Sequence, residues 1–67
     1  MKNKVGELRE SQNLTQKELG EMVGVSRQAI NAIETGKYDP SIWLAYHLAR
    51  LFKLAIEEVF QFEEEPK

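Results

Sequence analysis

Residues 16–35, QKELGEMVGVSRQAINAIET, constrain the fold more than any other stretch of this chain. Leu19, Val23, Val25, Ile30 and Ile33 recur at spacings that place them on the facing sides of two short helices. Thr15-Gln16-Lys17-Glu18 has the pattern of a capping box: the hydroxyl at 15 accepts from the amide at 18, and the carboxylate at 18 reaches back. A helix is therefore expected over 16–23. Gly24 suits the left-handed residue that ends such a helix. Ser26 is a cap for a second helix running to Glu34 or Thr35. Gly20, inside the first helix, costs about 1 kcal/mol relative to alanine, which makes sense where another helix crosses closely. Two short helices joined by a tight turn, inner faces together and the outer face of the second left polar, form a helix-turn-helix.

The flanking chain reads as support. Val5, Leu8 and Gln12 recur at helical spacing and predict a first helix over 3–12. Asn13 tolerates the left-handed conformation that stops it, and Leu14 then turns into the core. Thr35-Gly36-Lys37-Tyr38-Asp39-Pro40 is a loop. Ser41 caps a fourth helix ending near Phe52, with Ile42, Ala45, Leu48, Ala49 and Phe52 as its inner face. A short fifth helix is expected over 56–59. Phenylalanine then alternates at Phe60 and Phe62, which suits a short strand over 59–62, and Glu63–Lys67 reads as a frayed tail. The expected fold class is all-α: a single domain over 1–67, a five-helix bundle with a short terminal β extension.

Composition narrows the function classes. With 67 residues the chain is expected to form one domain. A domain of that size buries only about 60% of the surface its unfolded form exposes, so it is marginal alone. There is no cysteine, which removes disulfides and thiolate metal sites, and His47 is the single histidine. No cofactor or metal is expected. Glu57, Glu58 and Glu63–Glu65 read as a solvated acidic face rather than a metal cluster. No apolar run approaches the ~18 residues of a membrane span, and MKNKVGELRE carries charge where a signal peptide needs an apolar core. A cytoplasmic protein is expected. With one His and no Cys, no nucleophile, base and orienting group come together, so an enzyme is not expected and no catalytic residue is assigned.

The net charge of −2 is unevenly spread. Residues 1–54 carry eight Lys/Arg against six Asp/Glu, whereas 55–67 carry five Glu against one Lys. The first part can therefore present a nucleic-acid face, provided the acidic end points elsewhere.

With Val25, Ala29, Ile30 and Ile33 inward, helical geometry turns Arg27, Gln28, Asn31 and Ala32 outward. Such residues on a helix are most often only a solvated face. They are also the types that read base edges in the major groove: Arg pairs bidentately with guanine, and Gln or Asn with adenine. They lie near the start of the second helix, where such helices meet the bases. The first turns of both helices offer free amides and a positive dipole end to a phosphate, with Gln16 and Lys17 at the earlier one. Lys37, in the loop beyond, adds a flexible positive charge.

The stretch from Leu8 to Phe60, through LRESQNLTQKELGEMVGVSRQAINAIETGKYDPS and the later LARLF and IEEVF, resembles the Cro and phage-repressor type of helix-turn-helix regulators. The resemblance implies a five-helix fold with the third helix as recognition helix. It implies base reading by Ser26, Arg27, Gln28 and Asn31, with Ala32 offering a methyl group. Gln16 falls at the phosphate-contacting start of the second helix and Lys37 at a backbone-contacting loop position. Arg9 and Glu34 match a pair that ties the first helix to the end of the third. Gln16, Lys17, Arg9 and Lys37 make up the expected phosphate-contacting set. The family's members are mostly dimers on palindromic operators. In short members with FQ-aromatic after the fifth helix, terminal strands extend the bundle and help form the dimer. Three residues depart from the family pattern. Gly20 stands where alanine is commonest and loosens its helix; Lys53 stands where glycine is frequent; Ala55 stands where a Ser or Thr cap is usual.

Phe60 and Phe62 are therefore expected at a dimer surface, within a dimerisation segment over 54–63, with Met1–Lys4 as a candidate pairing segment. A two-fold dimer of this kind sets the recognition helices about 34 Å apart, one turn of DNA. Trp43 reads equally as a surface aromatic or as rim packing. Tyr46 and His47 flank the core or a dimer surface, and Met22 is a core filler. The leading expectation is a sequence-specific repressor, binding double-stranded DNA as a homodimer on an inverted repeat, with no membrane or small-molecule substrate partner. The alternative is an antitoxin-like or protein-interaction module, which would show an apolar or acidic outer face on the third helix.

Overall fold

A computed structural model of the chain describes residues 1–62, and within them five helices follow one another: α1 Val5–Ser11, α2 Gln16–Val23, α3 Arg27–Glu34, α4 Ile42–Leu51 and α5 Ile56–Val59. The expected frayed tail, Glu63–Lys67, lies outside the described residues.

Local signals account for most of the boundaries. Thr15 Oγ1 accepts from the Glu18 N–H at 3.0 Å, and the Glu18 carboxylate accepts from the Thr15 N–H at 2.8 Å, which completes the capping box of α2. Ser26 Oγ and Ser41 Oγ each accept from the amide three residues on, at 3.1 Å. Gly24 ends α2 with φ 81°, and Asn13 leaves α1 with φ 59°. Lys53 also takes a left-handed φ of 60°, a conformation of the order of 1 kcal/mol unfavourable for a residue with a Cβ. Ala55, which has no side-chain oxygen to offer as a cap, receives half of one: the Glu58 carboxylate accepts from its N–H at 2.8 Å.

The core lies between α1, α2, α3 and the α4–α5 pair. Val5, Leu19, Ile30, Ile33 and Leu48 are fully buried at its centre, and Ala45, Ala49, Phe52 and Val59 close it. Among the described residues no buried side-chain polar atom lacks a partner, so the interior is apolar and satisfied. No helix among them is long and apolar enough to cross a membrane.

Several sequence expectations change. α1 begins at Val5 instead of residue 3 because the chain before it is used elsewhere. Lys4 N–H donates to the Val59 carbonyl at 2.8 Å and Gln61 N–H to the Lys2 carbonyl at 2.9 Å, around an antiparallel bridge between Asn3 and Phe60. The expected terminal β pairing thus reduces to one bridge, and it closes within a single chain. Phe60 is 1% exposed and packs in the core of its own chain, so its side chain stands at no dimer surface; Phe62 is 54% exposed. Period-two alternation placed both on a strand but could not say which face the chain's own core would take. Ile42 is 65% exposed, because α4 overshoots the core by its first turn, and half-buried Leu44 packs there instead. Met22, on the outer side of α2, is 55% exposed rather than a core filler.

Candidate nucleic-acid interface

α2 and α3 meet through Gly20. Its carbonyl accepts from both the Gly24 and Val25 N–H groups, at 2.8 and 2.9 Å, which folds the turn back onto the helix. A Cβ at position 20 would lie 2.6 Å from the Val25 carbonyl oxygen. Glycine therefore does not loosen α2; its missing side chain lets the turn close. Alanine would not fit without movement of the main chain.

With Ile30 and Ile33 fully buried beneath it, α3 is held by its apolar side and turns Ser26, Arg27, Gln28 and Asn31 to solvent, with Ala32 half-buried beside them. Ser26 Oγ is occupied as the acceptor of the helix cap, but its hydroxyl proton is free to donate. Lys17 is exposed on the first turn of α2. Lys37 is exposed just beyond α3, where its N–H and that of Tyr38 both donate to the Ala32 carbonyl, at 2.9 and 3.2 Å. Helix geometry leaves the Gln16 and Lys17 N–H groups without intrahelical acceptors. The dipole end they share favours an anion.

Two residues of the expected phosphate set are placed differently. Arg9 faces inward, not into solvent. Its Nε donates to Glu34 Oε2 at 2.7 Å, its Nη2 to Glu34 Oε1 at 3.3 Å and its Nη1 to the Leu14 carbonyl at 2.7 Å. The side chains of the pair are only 13% and 11% exposed. The hydrogen bond to Glu34 raises the Arg9 pKa above its ordinary value; burial opposes this, and the charges of Glu34 and Glu10 add to it. Arg9 thus ties α1 to the end of α3, and all three of its nitrogens serve protein acceptors. Gln16 does lie at the start of α2, but its Nε2 donates to Asn31 Oδ1 and to Glu34 Oε1, each at 3.1 Å.

One further anchor escaped the sequence. Asn3 Nδ2 donates to the Ile33 carbonyl at 2.9 Å while its Oδ1 accepts from the Val5 N–H at 3.1 Å, so the terminal bridge is fastened to the last turn of α3. Outside the interface, α4 carries an exposed aromatic stripe. Trp43, 70% exposed, meets Tyr46 edge-on with ring centroids 6.3 Å apart, and Arg50 lies 5.6 Å over the Tyr46 ring. The spacing of Trp43, Tyr46 and Arg50 was the signal available for the stripe. For Asn3 there was none, since its partner is thirty residues away.

Comparison with known proteins agrees with this geometry. A helix-turn-helix family model matches residues 5–59, from the first residue of α1 to the last of α5. The chain is 51% identical over 65 residues to the uncharacterized HTH-type transcriptional regulator MJ0272 of Methanocaldococcus jannaschii, covering 97% of this chain and 98% of that protein. It is 51% identical over 65 residues to the uncharacterized HTH-type transcriptional regulator YgzD of Bacillus subtilis, with the same coverage. It is 48% identical over 65 residues to one from Archaeoglobus fulgidus, covering 97% of this chain and 92% of that one. The chain belongs to the Cro/C1-type helix-turn-helix family of DNA-binding transcriptional regulators.

Proposed function

We propose that the protein binds double-stranded DNA in a sequence-specific manner, as a homodimer on an inverted-repeat operator, and represses transcription by covering a promoter. The observation that carries the reading is the outer face of α3. Arg27, Gln28 and Asn31 are exposed there, on a helix whose inner side is locked by fully buried Ile30 and Ile33. Ser26, Arg27, Gln28 and Asn31 read base edges, and Ala32 offers a methyl-sized apolar contact to thymine. Lys17, Lys37 and the free N–H groups at the start of α2 meet phosphates, which position the helix without reading sequence. Arg9 acts from behind, holding α3 to α1 through Glu34.

The dimer reading rests on Phe62, exposed beside the terminal bridge within the segment 54–63. A small domain gains stability by covering such a residue against a second copy. The protein acts in the cytoplasm, with its DNA. An apolar or acidic outer face on α3 would favour a protein-interaction module; the face is polar, with Arg27 its one formal charge among the reading residues.

Selection from random duplexes, read by sequencing, tests the proposal together with sedimentation of the free protein. The expected result is an enriched palindrome with half-site centres about one helical turn apart, and a dimer at micromolar concentration. A chain that enriches no sequence is not a specific DNA-binding protein, and an enriched single half-site with a monomeric chain removes the homodimer.

A further inference from the structure

α4 presents four exposed side chains in one stripe, Trp43, Tyr46, His47 and Arg50, spaced so that they share one face of the helix. Met22, exposed on α2, borders a groove with His47 and Arg50. The stripe is already ordered within the chain. Trp43 meets Tyr46 edge-on, Tyr46 and His47 have ring centroids 5.6 Å apart, and Arg50 Nη1 donates to the Tyr46 hydroxyl at 3.0 Å. Among the described residues no carboxylate lies within ion-pairing distance of Arg50. None of the four is among the residues proposed to meet DNA. None lines the groove beside Phe62, which is formed from the chain's first three residues, the end of α3 and Gln61.

We propose that this stripe docks against the same stripe of a second copy, in antiparallel two-fold pairing. A two-fold axis through the middle of the stripe, perpendicular to α4, sets position 43 of one copy opposite position 50 of the other, and position 46 opposite position 47. The match holds across the stripe as well as along it. At about 100° per residue, positions 43 and 50 lie close to the midline on opposite sides, and positions 46 and 47 lie further out on opposite sides. The cationic end of each stripe thereby meets the aromatic end of the other. Arg50 lies against the indole of the second copy's Trp43 as a cation–π pair, and the Tyr46 ring meets the second copy's His47 ring. Parallel pairing would set Arg50 against Arg50. Antiparallel pairing keeps the two charges about 10 Å apart along the helix, beyond a Debye length at physiological salt. Side chains already held by their own chain lose less freedom on docking. Four side chains are few against the roughly 20–30 residues a side of a stable interface, so the pairing is weak, with a dissociation constant of the order of 100 μM. It is separate from the tighter dimer proposed at Phe62 and links such dimers. On DNA, a consequence that rests on the proposed operator binding, neighbouring dimers face each other at about millimolar effective concentration, which raises occupancy of an adjacent operator by about tenfold.

Sedimentation of the Phe62→Ala chain, whose terminal segment no longer joins copies, isolates this pairing. Between about 10 μM and 1 mM it is expected to pass from monomer to dimer, and the emission of Trp43, the chain's single tryptophan, shifts over the same range. In that background Trp43→Arg sets two guanidinium groups against each other at both ends of the stripe and is expected to weaken pairing at least about tenfold. Trp43→Arg combined with Arg50→Trp exchanges the two ends and restores pairing, because the two-fold axis relates those positions; no other occupant of the stripe gives that rescue. The substituted residues are all exposed, so the core is untouched. A Phe62→Ala chain that stays monomeric at about 1 mM overturns the proposal. So does a double variant as weak as Trp43→Arg alone. Pairing lost when Glu63, Glu64 and Glu65 are replaced by glutamine puts the acidic tail on Arg50 in place of a second α4, and overturns it too. On duplexes carrying two operators, the tenfold gain should vanish in Trp43→Arg. A chain that enriches no DNA sequence overturns the DNA-binding reading and leaves the α4 pairing to be decided by sedimentation.

Discussion

Gly20 and the Val25 carbonyl stand so close that a Cβ on residue 20 would lie 2.6 Å from that oxygen. The same turn delivers Ser26 and Arg27 to the surface, so the spacing between α2 and the reading helix depends on a missing methyl group. Gly20→Ala tests this. Alanine gains about 1 kcal/mol in helix propensity, but overpacking against main chain costs about 1–3 kcal/mol. The expected net result is a destabilisation of about 1 kcal/mol, read as a lower urea midpoint at unchanged slope. A raised midpoint would mean that the turn yields easily and that the close approach is not required.

Arg27 and Lys37 are both exposed cations, yet they are expected to behave differently. Arg27→Ala should weaken operator binding by about 1–3 kcal/mol and relax preference at one base pair, whereas Lys37→Ala should weaken all sequences alike and lower the salt slope by about one. Titrations of operator and scrambled duplexes across a salt series separate the two. Equal losses on both duplexes for Arg27→Ala would move that residue from base reading to the phosphate set.

Phe60 and Phe62 separate folding from assembly. Phe60→Ala empties a fully packed site and should cost about 3–5 kcal/mol, enough to unfold much of a domain this small. Phe62→Ala should change the stability of the single chain by less than about 0.5 kcal/mol. It is expected instead to remove the concentration dependence of the melting temperature that a dimer confers. If the melting temperature of the unsubstituted chain does not depend on concentration, Phe62 is only a surface aromatic.

The end of α4 and the start of α5 carry two correctable defects. Ala55→Ser offers a side-chain oxygen to the Glu58 N–H, which now donates to the Ala55 carbonyl at 2.9 Å, and should add up to about 1 kcal/mol. Lys53→Gly relieves a φ of 60° and should add about 0.5 kcal/mol, less than the strain removed, because glycine also loosens the unfolded chain. Denaturant midpoints of the single variants and the pair check both. A lowered midpoint for Ala55→Ser would mean that the half-cap from Glu58 already suffices.

Much of the molecule was legible from residue order. The boundaries of α2, α3 and α4 follow from Thr15, Gly24, Ser26 and Ser41, each acting within three or four residues of itself, so its effect is carried by the local sequence. The outward placement of Arg27, Gln28 and Asn31 follows from helical period once Ile30 and Ile33 are taken inward. Periodicity fails where it must report on neighbours it does not contain. It marked Ile42 as inner-facing but could not tell how far along α4 the core extends. It placed Phe60 and Phe62 together but could not tell that Phe60 fills its own chain.

What this sequence determined by itself is a capped pair of helices joined by a glycine turn, with a polar face on the second. That information is held in side chains a few positions apart, which meet whatever the rest of the chain does. Only the tertiary structure decided what the polar face is fastened to. Asn3 holds the Ile33 carbonyl across thirty residues and Gln16 holds Asn31 across fifteen, beside the Arg9–Glu34 tie across twenty-five that the family resemblance implies. Each of these is one hydrogen-bonding group choosing among many in a folded chain. The choice is made by which elements the apolar core brings together.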